Sequence, residues 1–229
     1  MNRSEVQQIV ASARMRGKVP DLRRVDLGGI DLSGLDLRGV NLSEANMYRA
    51  KLRHANLQEA NLVFANLMKA DLFEVNLKGA NMVFANLRQA ELQQANLENV
   101  NLSASDLDGI NLKGAQLPGG NLGETNLNNA ILVGANLRQA NLTEANLTGA
   151  NLSETDLRGA NLRHVELKNT NFSKALFNET TAWNDGFDPT SAGAVKERRW
   201  FKSLERLVES FIREKGSTSI NIEDKPEDR

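Results

Sequence analysis

Between Leu22 and Phe177 an apolar residue returns at every fifth position without insertion or deletion, giving 32 consecutive centres, 28 of them Leu. The exceptions are Met47, Met82, Phe172 and Phe177. Two residues before the centre stands a small or β-branched residue in nearly every unit, Ala in 18 of the 32, and one residue before it 26 positions are Asn or Asp. The two residues after each centre are polar or Gly almost throughout. A period of five suits neither regular element. On an α-helix it advances about 500°, so successive centres step around the axis by about 140° and share no face. In a flat strand an odd spacing sends alternate Leu side chains to opposite faces. The chain must therefore bend once per unit, so that every Leu points to one common axis.

That geometry assigns the remaining positions. The residue two before the centre also faces inward and must be small, because Leu already fills the interior. Asn or Asp at the corner can hydrogen-bond the backbone there. The last two residues of each unit face solvent. The predicted fold class is all-β, a parallel β-helix (β-solenoid) whose turns stack at about 4.8 Å.

Units such as ANLQE, ANLVF, ANLMK, ADLFE, ANLTE and ANLTG resemble the pentapeptide-repeat family, whose consensus is A(D/N)LXX. The resemblance implies a right-handed quadrilateral β-helix with four units per coil, hence about eight coils here, roughly 38 Å long. It implies no single activity. Most members of the family have none assigned, and a subset resembles DNA in shape and charge and acts on DNA gyrase.

Both ends of such a stack need covers. Residues 4 to 16 begin with Ser4 and Gln7 in a capping-box arrangement, place Val6, Ile9, Val10 and Ala13 on one face and stop at Gly17, predicting an N-terminal capping helix. Val25, Ile30, Leu35 and Val40 stand where Ala is usual, suggesting a fuller interior beneath that cap. Beyond the repeats, TTAWNDGFDPTSAGA is turn-rich and resembles a tail of cyanobacterial pentapeptide-repeat proteins. A second amphipathic helix is predicted from about Val195 to Lys215, with Trp200, Leu204, Leu207, Val208, Phe211 and Ile212 on one stripe. It caps the stack or forms a homodimer interface; dimerisation through this region in gyrase-directed relatives tilts the resemblance toward the dimer. The expected organisation is residues 1–19 as N-terminal cap, 20–179 as repeat region, 180–215 as turn-rich segment and helix, and 216–229 as a flexible polar tail.

Composition narrows the function. The 229 residues carry 28 Lys and Arg against 29 Asp and Glu, so global charge draws the chain toward neither nucleic acid nor anionic lipid. There is no Cys, which removes disulfides and thiolate sites and fits a reducing compartment. With no apolar run long enough to span a bilayer and no signal-peptide core at the N-terminus, a cytoplasmic protein is expected. His54 and His164 lie too far apart to cooperate, and Asp21, Asp26, Asp31 and Asp36 read as corner residues, so no enzyme, metal or cofactor is expected. Direct nucleic-acid binding is not expected, because the basic residues form no stripe. The two solvent-facing positions of each unit hold 14 Lys or Arg and 9 Asp or Glu, an excess of the wrong sign for a DNA mimic.

The outward positions do hold an apolar group: Tyr48, Val63, Phe64, Met68, Phe73, Val83 and Phe84. With four units per coil, Val63 and Phe64 lie beneath Val83 and Phe84, while Tyr48 and Met68 stack on the adjoining side. Exposed apolar patches on polar surfaces mark interaction sites. The leading expectation is a non-enzymatic scaffold that binds a protein partner or itself through this patch, the C-terminal helix, or both. The alternative is a DNA-mimicking regulator of DNA gyrase or topoisomerase.

Overall fold

The computed structural model describes residues 1–197. Two compact units divide the chain, Met1–Lys196 and Glu197–Arg229. In the first, a helix α1 (Arg3–Met15) is followed by the repeats and by two short strands, β1 (Leu176–Phe177) and β2 (Val195–Lys196), paired in parallel.

The expected all-β, right-handed quadrilateral β-helix requires correction. Among the described residues, regular strand is confined to β1 and β2, two residues each, and α1 is the one helix. No dense multi-coil sheet forms. Successive levels meet instead through isolated single-residue parallel bridges, such as Asp21 with Asn41, Asn61 with Asn81 and Asn81 with Asn101. The unit length explains this. Of five residues, two form a turn, closed by hydrogen bonds such as Ala45 N to Leu42 O at 3.1 Å. The second turn residue takes a left-handed φ in every unit from Arg24 to Lys174, the signature of a type II turn. One corner residue per unit is then left to bridge, whereas a strand needs consecutive bridging residues.

Bridging at a spacing of 20 places four units in each level. The centres are buried from Leu22 to Leu162 together with the small residues beside them, and form one continuous apolar core. Where Ser or Thr replaces Ala, its hydroxyl is buried and donates to a backbone carbonyl, as Ser105 does to Met82 at 2.7 Å and Thr155 to Leu132 at 2.9 Å. The corner residues do the work expected of them. Asp21, Asp26, Asp31 and Asp36 each accept from the backbone N–H two residues on, at 2.9–3.2 Å. Asn corners add a rung between levels, with Nδ2 of Asn66 donating to Oδ1 of Asn46 at 3.0 Å and Nδ2 of Asn141 to Oδ1 of Asn121 at 3.0 Å.

The ends differ from the sequence reading in detail. The capping box of α1 is built by Asn2 and Glu5, not Ser4 and Gln7: Asn2 Oδ1 accepts from Glu5 N at 3.0 Å, and Asn2 N donates to Glu5 Oε2 at 2.8 Å. Val6 and Val10 are buried in the same core as Leu35 and Val40, with Ile9, Val25 and Ile30 partly buried against it. At the other end the register slips by one residue, since Asn161 bridges Ala182. Leu167 is only half-buried there, and Phe172, Phe177, Trp183 and Phe187 pack ring against ring at 5.2–5.9 Å. Val195 and Lys196 do not begin a helix as expected but form β2, because Val195 N donates to Ala175 O at 2.7 Å. The rest of the predicted C-terminal helix, including Trp200, Leu204, Leu207, Val208, Phe211 and Ile212, lies outside the described residues.

Two carboxyls tie acid sensitivity to this framework. Hydrogen bonds from Arg38, then from the Arg38 backbone and Arg14, hold Asp36 well below the ordinary carboxylate range against the cost of its burial. Burial would raise Asp156, but hydrogen bonds from the Arg158 side chain and backbone outweigh it and lower it. A depressed folded-state pKa contributes stability that is present above the unfolded value, about 4 for Asp, and lost as pH falls below it. Melting temperature, followed by circular dichroism, is therefore expected to fall progressively as pH drops below about 5, and to keep falling through the strongly acid range. Asp36→Asn with Asp156→Asn should flatten that drop; an unchanged acid slope would contradict the assignment.

Candidate functional site

The left-handed position of each unit falls on the second outward residue, and it is filled mostly by Gly, Glu, Gln, Asn and basic residues. Phe64 and Phe84 break that pattern, each at φ 57. For a bulky side chain this backbone region is unfavourable, by about 1–2 kcal/mol. Both residues are nevertheless solvent-exposed, at 58% and 52%. Their rings lie 5.0 Å apart, centroid to centroid, and within 9° of parallel. Their backbone N–H groups donate upward, Phe64 to Val83 O at 3.1 Å and Phe84 to Ser103 O at 3.2 Å, so the ladder holds the ring pair in place. Val63 and Val83, half-buried, sit beside them one residue earlier in each unit.

The other candidates of the apolar group occupy different columns. Tyr48 and Met68 are half-buried on the next side, and the Arg49 guanidinium lies 5.2 Å from the Tyr48 ring. Phe73 stands two units on from Val63, half a turn away. Its ring is covered by Arg53 at 4.5 Å and met edge-on by His54 at 5.9 Å, and His54 Nδ1 is 3.2 Å from Glu74. Phe73 is thus screened by its own side, whereas Phe64 and Phe84 are presented.

One feature of the exterior escaped sequence reasoning. The corner residues hydrogen-bond the backbone as the pattern predicts, and their side chains also reach solvent while making those bonds. Nine of them are acids and one is Lys51, so the exterior from 21 to 179 carries 18 acids against 15 bases. The sign of the surface reverses. Many of these charges are paired locally, for example Arg24 with Glu44 at 2.8 Å, Arg88 with Asp108 at 2.8 Å and Lys78 with Glu98 at 2.9 Å. Among the described residues no group of three His, Cys, Asp or Glu is placed to hold a metal, and no helix is long and apolar enough to cross a membrane.

Comparison with known families matches overlapping segments from 21–58 to 140–179 to the model for pentapeptide repeats. Rfr23, a pentapeptide repeat protein from the cyanobacterium Cyanothece 51142, is 50% identical over 41% of this chain and 63% of its own, with a TM-score of 0.41. The chain therefore spans less than two thirds of that protein. HetL from the cyanobacterium Nostoc sp. strain PCC 7120, described as involved in regulating heterocyst differentiation, is 26% identical over 86% of this chain and 94% of its own, with a TM-score of 0.43. Trypsin-treated QnrB1, described as a plasmid-mediated fluoroquinolone resistance protein, is 18% identical over 82% of this chain and 93% of its own, with a TM-score of 0.54. At that identity the likeness to QnrB1 speaks for the fold alone. No curated protein matches the chain.

Proposed function

We propose that this chain, which belongs to the pentapeptide-repeat family, works without catalysis as a cytoplasmic protein-binding module. It takes a protein partner, or a second copy of itself, against the face that carries Phe64 and Phe84. The observation that supports this most is the ring pair itself: two aromatic residues, more than half exposed and with parallel rings, at backbone positions that disfavour them. Stability alone would remove them, since Asn99, Asn129 and Asn169 occupy the same position of the unit at less cost. Aromatic side chains of this kind serve as anchors in interfaces.

Photo-crosslinking tests the reading. Benzoylphenylalanine at position 64 is compared in native lysate with the same group at Gln94, an exposed left-handed position half a turn away. A discrete adduct from position 64 that is missing from position 94 is the expected result. Equal labelling from both sites would remove the basis for assigning the face.

A second reading, a DNA-mimicking regulator of gyrase or another topoisomerase, is favoured by two observations. The fold is shared with a fluoroquinolone resistance protein, and the exterior carries more acids than bases once the corners are counted. The comparisons lean toward this reading more than toward a general scaffold. In a supercoiling assay with purified gyrase, inhibition by the wild type that survives Phe64→Asn with Phe84→Asn is its expected signature. No inhibition by the wild type at any concentration would sink it.

A further inference from the structure

The column of left-handed residues that holds the ring pair reads, level by level, Arg24, Glu44, Phe64, Phe84, Ala104, Glu124. The column beside it reads Ser43, Val63, Val83, Ser103 over the four central levels. The second is a palindrome about the midpoint of Phe64 and Phe84, and the first is complementary about the same point. Its two aromatic residues exchange and its two ends carry opposite charge. An isologous interface requires just this property, that the surface be complementary to itself under a two-fold rotation.

We propose that the occupant of this face is a second copy of the chain, running antiparallel, with the two-fold axis lying across the face between the levels of Phe64 and Phe84. The inference deepens the protein-binding reading and rests on it. Under this operator Phe64 faces the partner's Phe84, Val63 faces the partner's Val83, and Ser43 faces the partner's Ser103. Arg24 falls opposite the partner's Glu124, and the reverse pair forms at the other end. Both charges stand two and a half levels from the axis, about 12 Å at about 4.8 Å per level, so they bracket the apolar centre as a polar rim does.

The local surroundings suit this pairing. Ser43, Ser103 and Ala104 are small, leaving room for the rings of the facing copy to settle between levels. Glu124 is in the left-handed conformation and has no ion-pair partner within 4.0 Å among the described residues. Arg24 is held by Glu44 through Nε at 2.8 Å and Nη2 at 3.0 Å, which spends two of its five N–H donors and leaves the rest for the partner's Glu124. Such a planar donor fork can serve two carboxylates at once.

Sedimentation velocity on the full chain, from micromolar to several hundred micromolar, tests the operator through charge. Glu124→Arg alone sets it against the partner's Arg24, and Arg24→Glu alone sets it against the partner's Glu124. Each should weaken self-association about tenfold or more. The double variant restores opposite charge at both ends and should recover most of the lost association. Arg and Glu both occur at other left-handed positions, Arg49 and Glu154, so the backbone tolerates either exchange, and unchanged melting temperatures verify that the fold is kept.

Orientation has its own measurement. Because the chain has no Cys, a Ser43→Cys chain can be mixed with a Ser103→Cys chain and treated with a short bis-maleimide. The antiparallel pair should give far more crosslinked dimer in the mixture than either chain gives alone. A chain that stays monomeric throughout, a dimer indifferent to the charge exchange, a double variant that fails to recover, or equal crosslinking in all three samples would each overturn the inference. Should the monomer still yield a discrete adduct from position 64, self-pairing falls while the protein-binding reading stands.

Discussion

Leu97→Asp is expected to abolish folding. Leu97 is fully buried near the middle of the core, and its backbone N–H bridges to Gln116 O at 2.6 Å. Burying a Leu contributes about 1.5–3 kcal/mol, and truncating one to Ala costs about 2–5 kcal/mol once the cavity is included. A carboxylate there adds a desolvation cost of several kcal/mol with no cation in reach. The sum rivals the whole stability of an ordinary domain, about 5–15 kcal/mol. A stack also fails at its weakest level, because each level is supported only by its neighbours. Leu97→Met should cost less than about 1.5 kcal/mol, as Met47 and Met82 already fill equivalent buried positions. Urea denaturation of the Asp, Ala and Met variants orders the three; a soluble Leu97→Asp protein with a wild-type melting curve would refute the inward assignment of the centres.

What the sequence made legible was whatever repeats. Phase, inward Leu, small neighbours and corner hydrogen bonds follow from sterics that every unit shares, so 32 units state them together. What it hid was local or cooperative. That one corner residue per unit pairs, giving isolated bridges in place of strands, depends on turn dihedrals that the pattern does not encode. Asn2 with Glu5 satisfies the same cap pattern two residues earlier than Ser4 with Gln7, and the local pattern alone does not choose between them. The slip that pairs Asn161 with Ala182 belongs to the aromatic cluster around Trp183, beyond the last repeat. At the candidate site the exposure of Phe64 and Phe84 was legible, while their left-handed backbone and parallel stacking were not. The pattern marks the corner acids as hydrogen-bonding groups but not as surface charge, although one side chain does both.

Detaching α1 is expected to expose the first level and drive aggregation. Inside the stack, carbonyls at the corner and turn accept from the level before, as Lys51 O does from Leu32 N at 2.8 Å, Arg53 O from Gly34 N at 2.8 Å and Gln58 O from Gly39 N at 2.9 Å. The first level has no level before it. Arg3 supplies the missing donors to Asp31 O at 2.9 Å and Ser33 O at 2.8 Å, and Arg14 donates to Arg38 O at 3.1 Å while binding the Asp36 carboxylate at 3.0 and 3.2 Å. The helix thus replaces a level in hydrogen bonding as well as in apolar cover. Val6 and Val10 are buried against the core, each contributing about 1.5–3 kcal/mol. Val6→Asp with Val10→Asp removes both and places two carboxylates on that surface, so the helix should leave and the uncovered edge become a template for other chains. Light scattering should then show concentration-dependent growth of large species, with a melting temperature well below the wild type. Arg3→Ala with Arg14→Ala leaves the apolar contact intact and should lower stability less, without aggregation. If the Asp double variant stays monodisperse with an unchanged melting temperature, α1 is not what closes that end.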